Sequence, residues 1–418
     1  MPKFIIQGGA KLQGQIDVKG AKNNALKAIP ATLLTEERVV LKNLPNIIDI
    51  NLSIEILKDL GAKIEKLSKD SIAITAKNIN HKKLNSETAR KIRTSLMFVP
   101  PLLHRFKIVE IPHPGGCVIG KRPINFFLDF LRDMNVKIEI HNGIYRFINN
   151  GMRGCKYVFP KISHTGTEAL IMAAVLSHGK TEIKNAACEP EVAALCEMLN
   201  QMGANIVGAG THSITINGVK KLKSTEFTII PDRIEAGSFL CIGIATRSNI
   251  KITKCDPSHL EIPIKILNQM GVNLEIGKNY IQIKDFKKLK PVDITTHEYP
   301  GFPTDLQSCY TVLLTQANGM SMMHETIYES RLFFTDFLSR MGAKLVLCDP
   351  HRVVINGPVK LSAKKMESPD IRAGLAMLIA GLIAQGETHI DNIQQIDRGY
   401  ENIEKRLNKL GANIKREE

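Results

Sequence analysis

The chain has 418 residues, of which 44% are hydrophobic and 23% charged, a composition typical of soluble globular proteins. Its length exceeds one ordinary core and predicts about two domains. The formal net charge of +15 is spread along the chain, without an Arg-rich arm or a basic stretch interleaved with aromatic residues. This pattern disfavours nucleic-acid binding and leaves solvated lysines or an anionic small substrate as explanations.

The hydrophobic runs of the sequence do not match a membrane-spanning segment or an export signal. The longest apolar run, residues 374–384, is shorter than the roughly 20 residues that span a bilayer. The first residues lack the apolar run that export needs. We therefore expect a cytoplasmic protein that does not bind a membrane.

The eight cysteines form no Cys-x-x-Cys pair and no Cys/His spacing of a zinc site. We expect reduced thiols, most of them small buried hydrophobic side chains, and no metal site.

An internal repeat organises the chain. The pattern apolar-x-x-apolar-Gly-Ala-x-apolar occurs, with small variations, six times at intervals of about 70 residues. The six copies are residues 57–64, 131–138, 199–206, 267–274, 338–345 and 407–414.

Each copy predicts the end of an amphipathic helix, with glycine in the left-handed conformation after it, followed by a strand. A second helix lies between successive copies, and the example at 374–382 is apolar nearly all round, which predicts burial. Each repeat is therefore predicted to be a βαβαββ unit, and the fold class α/β, with three units in each domain.

The domain limits follow from the requirement that every repeat has its full set of strands. The last copy ends the sequence and lacks its final strands, while strand-like segments at 3–6 and 15–18 open it. Pairing these pieces predicts an N-terminal domain of residues 21–229 and a C-terminal domain of residues 1–20 plus 230–418.

The polar residues that stand out fall at one equivalent place, the start of each buried helix. Helix N-termini carry unpaired N–H groups and positive partial charge, so they suit phosphates and carboxylates. Ordinary helix caps or solvated charges are the alternative explanation. The residues are Lys22, Asn23, Arg93, Lys161, Ile162, Ser163, Asp232, Arg233, Asp305, Asp370 and Arg372.

The most specific segment is the glycine-rich stretch 114–123, Pro-Gly-Gly-Cys-Val-Ile-Gly-Lys-Arg-Pro. Its glycines allow close backbone approach to a ligand. Lys121 and Arg122 beside Cys117 favour the thiolate and predict a reactive cysteine. A flexible turn that happens to hold a thiol is the alternative.

This stretch, together with Lys22-Asn23, resembles the UDP-N-acetylglucosamine 1-carboxyvinyltransferase family of enolpyruvyl transferases. Segments 231–235, 302–307, 325–331 and 397–401 extend the resemblance, in family order, over essentially the whole chain. It implies a two-domain inside-out α/β barrel, or α/β prism, with three βαβαββ units around a pseudo-threefold axis in each domain and the active site in the cleft between the domains.

The resemblance also implies an activity. The enolpyruvyl group of phosphoenolpyruvate would pass to the 3-hydroxyl of UDP-N-acetylglucosamine with release of phosphate, the first committed step of peptidoglycan synthesis. Cys117 would be the general acid, Asp305 the general base, and Asn23 would orient the reacting centre. Lys22, Arg122 and Arg398 would hold the two anionic ends of phosphoenolpyruvate.

The remaining roles implied by the resemblance concern the acceptor. Arg331, Asp370 and Arg372 would support the site or close the domains. The nucleotide sugar would contact Arg93, Arg122, Pro123, Ile124, Asn125, Phe126, Lys161, Ile162, Ser163, His164 and Ile327. No cofactor or metal is implied, and the only expected partners are the two substrates, without nucleic acid, membrane or an obligate protein partner.

Two departures from the family pattern lie on the uridine side. His164-Thr165 precedes Gly166 where the family has a small apolar residue and glycine, and Ile124-Asn125 replaces Val-Asp. Two alternatives stay open. One is the sister enzyme that uses shikimate 3-phosphate, which lacks this form of cysteine loop, and the other is a catalytically silent basic repeat protein.

Overall fold

A computed structural model describes residues 2–79, 84, 87–88, 92–113 and 124–418. Over these residues the chain forms two compact units. The C-terminal unit consists of residues 2–19 together with Pro231–Glu418. The N-terminal unit consists of the described residues from 20 to 230.

The helices of the described residues are mostly short. They are α1 Lys22–Ala31, α2 Ile48–Asp59, α3 Val99–Leu103, α4 Asn125–Asp133, α5 His164–Ala174, α6 Pro190–Gln201, α7 Arg233–Ala245, α8 Glu261–Gln269, α9 Thr304–Leu314, α10 Thr335–Arg340, α11 Ile371–Ile383, α12 Gln394–Asp397 and α13 Ile403–Asn408. Three 3₁₀ helices, Thr32–Leu34, Arg93–Phe98 and Pro257–Leu260, accompany them. No helix in the described part of the chain combines the length and the apolar character that a membrane crossing requires.

The strands are equally short. They are β1 Lys3–Gln7, β2 Gln15–Asp17, β3 Arg38–Lys42, β4 Lys63–Lys66, β5 Ile72–Thr75, β6 Ile108–Pro112, β7 Val136–His141, β8 Ile144–Asn149, β9 Lys156–Val158, β10 Lys180–Lys184, β11 Asn205–Val207, β12 Ser213–Asn217, β13 Thr225–Thr228, β14 Lys251–Thr253, β15 Leu274–Ile276, β16 Tyr280–Ile283, β17 Ile294–Thr295, β18 Gly319–His324, β19 Lys344–Asp349, β20 Arg352–Gly357, β21 Lys365–Glu367, β22 Glu387–Asp391 and β23 Asn413–Glu417.

The sheets show the repeat directly. The described strands form six sheets, and five of these share one arrangement, for example β9-β10-β12-β11. In that sheet β9 is parallel to β10, and β10, β12 and β11 then alternate antiparallel. This is the arrangement that one βαβαββ unit produces, so the repeat read from the sequence is confirmed at the level of strand order. The sixth sheet, β6-β8-β7, has three described strands.

The strands near the start of the chain complete distant repeats. β1 lies antiparallel between β22 and β23, and β2 lies parallel to β14. The expectation that the last repeat lacks its final strands was wrong in one respect. The last repeat contributes β23 and lacks only one strand. β1 takes the place of that strand. Similarly, β13 lies parallel to β3 and completes the first repeat.

The repeated glycines adopt the backbone conformation expected of them. Gly61, Gly203, Gly271, Gly342 and Gly411 have φ values of 96°, 100°, 85°, 99° and 104°. The equivalent residue of the second copy, an asparagine, also has positive φ. Glycine adopts this region without the steric cost of a Cβ, and asparagine tolerates it better than most residues, so these two residues are favoured where each helix turns into the next strand.

The helices that begin at the repeated polar positions form the centre of each unit. α1, α5, α7, α9 and α11 are almost wholly buried, including charged side chains such as Lys22 and Lys27 of α1 and Glu168 of α5. In the second repeat the equivalent segment is the 3₁₀ helix Arg93–Phe98 running into α3. Each unit has its own hydrophobic core around these helices.

Candidate active site

Three of the predicted site residues lie at helix starts in the C-terminal unit. Asp232 caps α7, its Oδ1 accepting from the backbone N–H groups of Ile234 at 2.8 Å and Glu235 at 3.0 Å. Asp370 caps α11 in the same way. Asp305 is the second residue of α9. Since α7, α9 and α11 pack against one another, the fold gathers the three helix starts.

Asp305 is held between two arginines. Nη1 of Arg331 lies 2.8 Å from its Oδ1, and Nη2 of Arg372 lies 2.7 Å from its Oδ2. Both arginines are buried, with exposed fractions of 8% and 7%. Burial alone would raise the pKa of Asp305, but the charges of Arg372 and Arg331 outweigh it and hold the pKa far below its usual value. The carboxylate is therefore firmly ionised.

Further hydrogen bonds fix the two arginines. Nη1 of Arg331 also donates to the backbone carbonyl of Thr304 at 2.7 Å. Nη1 of Arg372 donates to the Tyr400 hydroxyl at 3.0 Å. That hydroxyl lies 2.9 Å from Oγ of the buried Ser238. Burial raises the pKa of Tyr400 well above its usual value, despite the opposing charge of Arg372, so its proton stays available for this network.

Glu325 organises the segment that carries Ile327. Its Oε1 accepts from the backbone N–H groups of Ile327 at 2.8 Å and Tyr328 at 3.1 Å. Its Oε2 accepts from the Thr304 hydroxyl at 2.8 Å, next to Asp305. Sequence reasoning quoted Glu325 and Tyr400 within motifs but gave them no role. The role of Glu325 is revealed by its complete burial, at 0% exposure, which is unusual for an acidic residue.

Arg398 lies at the end of α12 and is partly exposed. Its Nη1 donates to Oε1 of Gln395 at 3.2 Å. The predicted anion-binding cation thus comes from a helix end rather than from the start of a buried helix.

In the N-terminal unit, Lys22 is the first residue of α1. Its Nζ lies 2.7 Å from Oδ2 of Asp49 at the start of α2, and both residues are buried. Asn23 follows and is partly buried, and Arg93 begins its 3₁₀ helix with a partly buried side chain. All six groups of polar residues picked from the sequence therefore lie at, or one to three residues before, a helix start, as predicted.

The segment 161–164 leads into α5. Oγ of Ser163 accepts from the backbone N–H of Gly166 at 3.1 Å and caps the helix. A Cβ on Gly166 would lie 2.8 Å from that hydroxyl and 2.8 Å from Cε1 of Phe159, so this position requires glycine. Lys161 is exposed and Ile162 packs against the core.

Phe159 joins the two segments that the resemblance assigned to the nucleotide. Its ring lies close to Gly166 and makes an edge-on contact with Phe126, with centroids 6.1 Å apart. Ile124 is buried before α4, while Asn125 is exposed. The structure therefore brings 124–126 and 159–166 together.

His164 is the first residue of α5, and its ring is directed inward. Its Nε2 lies 3.3 Å from Oε1 of Glu168, whose side chain is fully buried. The imidazole is therefore partly buried, with 22% of its side chain exposed.

Cys117, Arg122 and Pro123 lie outside the described residues. Among the described cysteines, Cys188, Cys196, Cys241, Cys255 and Cys309 are buried, as expected of small hydrophobic side chains. Burial raises the pKa of Cys196 and of Cys309 to about 12, which makes these thiols poor nucleophiles. No group of three His, Cys, Asp or Glu side chains in the described ranges is placed to hold a metal ion.

Comparison with known proteins agrees with this architecture. The family model for EPSP synthase (3-phosphoshikimate 1-carboxyvinyltransferase) matches residues 6–407. The enolpyruvyl transferase NikO from Streptomyces tendae superposes with a TM-score of 0.90 at 23% identity, covering 99% of this chain and 98% of the other. EPSP synthase from Acinetobacter baumannii gives 0.77 at 18% identity, covering all of both chains. The fold is thus the mixed α/β fold of the enolpyruvyl transferases.

Proteins of similar sequence identify one family among the enolpyruvyl transferases. UDP-N-acetylglucosamine 1-carboxyvinyltransferase of Campylobacter hominis is 44% identical over 413 residues, covering 98% of both chains. The proteins of the same name from Desulfosudis oleivorans and Helicobacter pylori are 41% and 40% identical, covering at least 98% of each chain. The chain belongs to the UDP-N-acetylglucosamine 1-carboxyvinyltransferase family.

Proposed function

We propose that the protein transfers the enolpyruvyl group of phosphoenolpyruvate to the 3-hydroxyl of UDP-N-acetylglucosamine and releases phosphate. The observation that carries this proposal is the 44% identity to a protein of that name over 98% of both chains. The reaction would be the first committed step of peptidoglycan synthesis, in the cytoplasm. We further propose that the three repeats of each unit surround a pseudo-threefold axis, as in an α/β prism.

Binding of phosphoenolpyruvate requires several cations, because the substrate carries a phosphate and a carboxylate. We assign this role to Lys22, Arg122 and Arg398, with Asn23 beside them. The buried pair between Lys22 and Asp49, at 2.7 Å, supports the assignment for Lys22. It fixes the ammonium at the start of a helix, where anions are favoured.

The chemistry consists of an addition followed by an elimination. Cys117 gives its proton to the methylene carbon of phosphoenolpyruvate, and the 3-hydroxyl oxygen bonds to the neighbouring carbon while its own proton passes to Asp305. The Cys117 thiolate then takes a proton from the new methyl group, the double bond re-forms as the C–O bond to phosphate breaks, and phosphate leaves with the proton held by Asp305, so both residues return to their starting states. The steps balance as two substrates giving enolpyruvyl sugar and phosphate.

The arginine clamp on Asp305, formed by Arg331 and Arg372, determines at which stage of the reaction Asp305 can accept a proton. A carboxylate whose pKa is lowered by Arg331 and Arg372 is a weak base towards a free hydroxyl. The hydroxyl becomes strongly acidic once its oxygen is bonded to the electron-poor carbon, and a weak base then suffices. Proton transfer to Asp305 therefore accompanies or follows attack.

The nucleotide sugar is assigned to Arg93, residues 122–126, residues 161–164 and Ile327. The ring of Phe159, which contacts both Phe126 and Gly166, supports a shared role for the first two segments of the N-terminal unit. Asp305 and Arg398, which are also assigned to the reaction, belong to the C-terminal unit.

Phosphate release from phosphoenolpyruvate tests the proposal, with UDP-N-acetylglucosamine and shikimate 3-phosphate as separate acceptors. We expect release with the nucleotide sugar alone, reduced about 100-fold or more in Cys117→Ala and Asp305→Asn. Cys348→Ala, at an exposed thiol, is the matched control. Release with shikimate 3-phosphate alone would move the protein to the sister activity, and release with neither acceptor would refute enolpyruvyl transfer.

A further inference from the structure

Three ionisable side chains meet inside the N-terminal unit. Nζ of Lys27 on α1 lies 3.0 Å from Oε2 of Glu168 on α5, and Nε2 of His164 lies 3.3 Å from Oε1. The side chains of Lys27 and Glu168 are 4% and 0% exposed, and that of His164 is 22% exposed. Neither oxygen of Glu168 has a hydrogen bond of good geometry among the described residues. Its charge is therefore compensated by its two basic neighbours.

The charged groups around His164 come from three elements. Glu168 lies on its own helix, Lys27 on α1, and Glu189 precedes α6. Helices α3 and α4 also pack against α5. His104, which follows α3, contacts the carbonyl of Ala173 at the opposite end of α5, and the charged side chains of α4 are exposed.

Two acids and one lysine thus surround the imidazole. Burial lowers the pKa of His164, and so does the positive charge of Lys27. The negative charges of Glu168 and Glu189 raise it by more, so the net pKa is raised. A protonated ring balances the charges of Lys27, Glu168 and Glu189, whereas a neutral ring leaves one buried negative charge in excess.

The orientation of the ring decides what it offers to a ligand. Because Nε2 faces Glu168, the other ring nitrogen, Nδ1, is left for a ligand. A neutral imidazole that keeps its proton on Nε2 has a bare acceptor at Nδ1, which repels a phosphate. A protonated ring has an N–H there, which forms a charge-assisted hydrogen bond to phosphate oxygen.

We propose that Glu168 is a positioning residue for the nucleotide sugar: it orients the ring of His164 so that an N–H is presented to the diphosphate, while Lys27 holds Glu168 from α1. This inference rests on the proposed function, which assigns the segment 161–164 to the nucleotide sugar. The lysine assigned to phosphoenolpyruvate is held separately, by the pair between Lys22 and Asp49. The two substrates should therefore respond differently when Glu168 is changed.

The kinetic test compares the KM of each substrate across pH. In the wild type, the KM for UDP-N-acetylglucosamine rises as pH increases through the pKa of His164, because the donor is lost. Glu168→Gln should move this rise to lower pH by about one unit, which gives a KM about three-fold higher midway between the two inflections and approaching ten-fold higher above both. The KM for phosphoenolpyruvate and kcat should stay unchanged.

A second variant predicts a shift of opposite sign. Lys27→Met removes a positive charge near the ring, so the rise should move to higher pH. A purely structural defect would not move the inflection in opposite directions for the two variants. Glu197→Gln, an exposed acid on α6 that lies beside Gln201, is the matched control and should reproduce the wild-type profile.

A substrate-free measurement separates this inference from the proposed function. The imidazole resonances of His164, assigned by comparison with His164→Asn, should titrate at lower pH in Glu168→Gln than in the wild type. If Glu168→Gln does not fold, His164→Asn, at a partly exposed site, should give a KM for the nucleotide sugar that no longer varies with pH. An unshifted titration, or an unchanged KM profile in either variant, overturns the inference. Failure of the wild type to use the nucleotide sugar, with the titration shift present, overturns only the proposed function.

Discussion

Replacing Arg372 by methionine tests whether the arginine clamp on Asp305 stabilises the C-terminal unit. The change removes the 2.7 Å ion pair to Asp305 and the 3.0 Å hydrogen bond to Tyr400 from a side chain that is 9% exposed. Removing one partner of a buried ion pair costs about 3–5 kcal/mol. Asp305 keeps Arg331 as a partner and is 26% exposed, so we expect the lower end of that range, about 3 kcal/mol.

Urea unfolding followed by far-ultraviolet circular dichroism measures this loss. With a slope of about 3 kcal/mol per molar urea, the midpoint of the C-terminal unit should fall by about 1 M. Arg340→Met is the control, because its pair with Asp336 is exposed and should contribute less than about 1 kcal/mol. A loss in Arg372→Met no larger than in this control would refute the reasoning.

The pH dependence follows from the lowered pKa of Asp305. A group whose pKa is depressed on folding stabilises the protein above its unfolded value, which is 3.8 for this residue. The stability difference between wild type and Arg372→Met should therefore be constant from neutral pH down to about pH 5 and shrink in more acidic solution. A difference that disappears already near pH 6 would point to another titrating group.

Three further changes have defined outcomes. Gly166→Ala places a Cβ 2.8 Å from the capping hydroxyl of Ser163, and thermal melting should show a loss of about 1–2 kcal/mol; an unchanged melting temperature would contradict the crowding. Asp49→Asn removes the carboxylate partner of Lys22 and should raise the KM for phosphoenolpyruvate about ten-fold, which steady-state kinetics would contradict by an unchanged value. Alkylation at pH 8 with peptide mass mapping should modify the exposed Cys348 well before the buried Cys309, whose pKa is about 12; equal rates would contradict the burial.

The architecture was accessible from the sequence because it is repeated. A glycine or asparagine at the end of each amphipathic helix has one physical cause, a left-handed backbone, and six occurrences at similar spacing identify one unit. The polar residues at helix starts were accessible for the same reason. Considered alone, Asp305 would be interpreted as an ordinary helix cap. Polar residues at equivalent positions in the other repeats identify it as a candidate site residue.

What the sequence did not reveal are contacts that depend on packing between distant segments. Lys27 and Glu168 are far apart in the chain, and no motif or spacing in the sequence links the two charges. Only the packing of α1 beside α5 makes them partners. In the same way, the clamp on Asp305 joins residues of α9, α11 and the segment after β18, and no spacing rule predicts that both carboxylate oxygens are occupied.

The pairing of β1 with β22 and β23 has a consequence for synthesis on the ribosome. β1 is synthesised before the other described strands, whereas its partners β22 and β23 follow about 380 and about 410 residues later. At about 5–20 residues per second this delay is on the order of 20–80 s. The N-terminal unit, whose described residues all lie between 20 and 230, can fold during that interval, whereas β1, with the sequence Lys-Phe-Ile-Ile-Gln, waits as an unpaired apolar strand. Such a strand is a binding site for chaperones and a starting point for aggregation until the last repeat emerges.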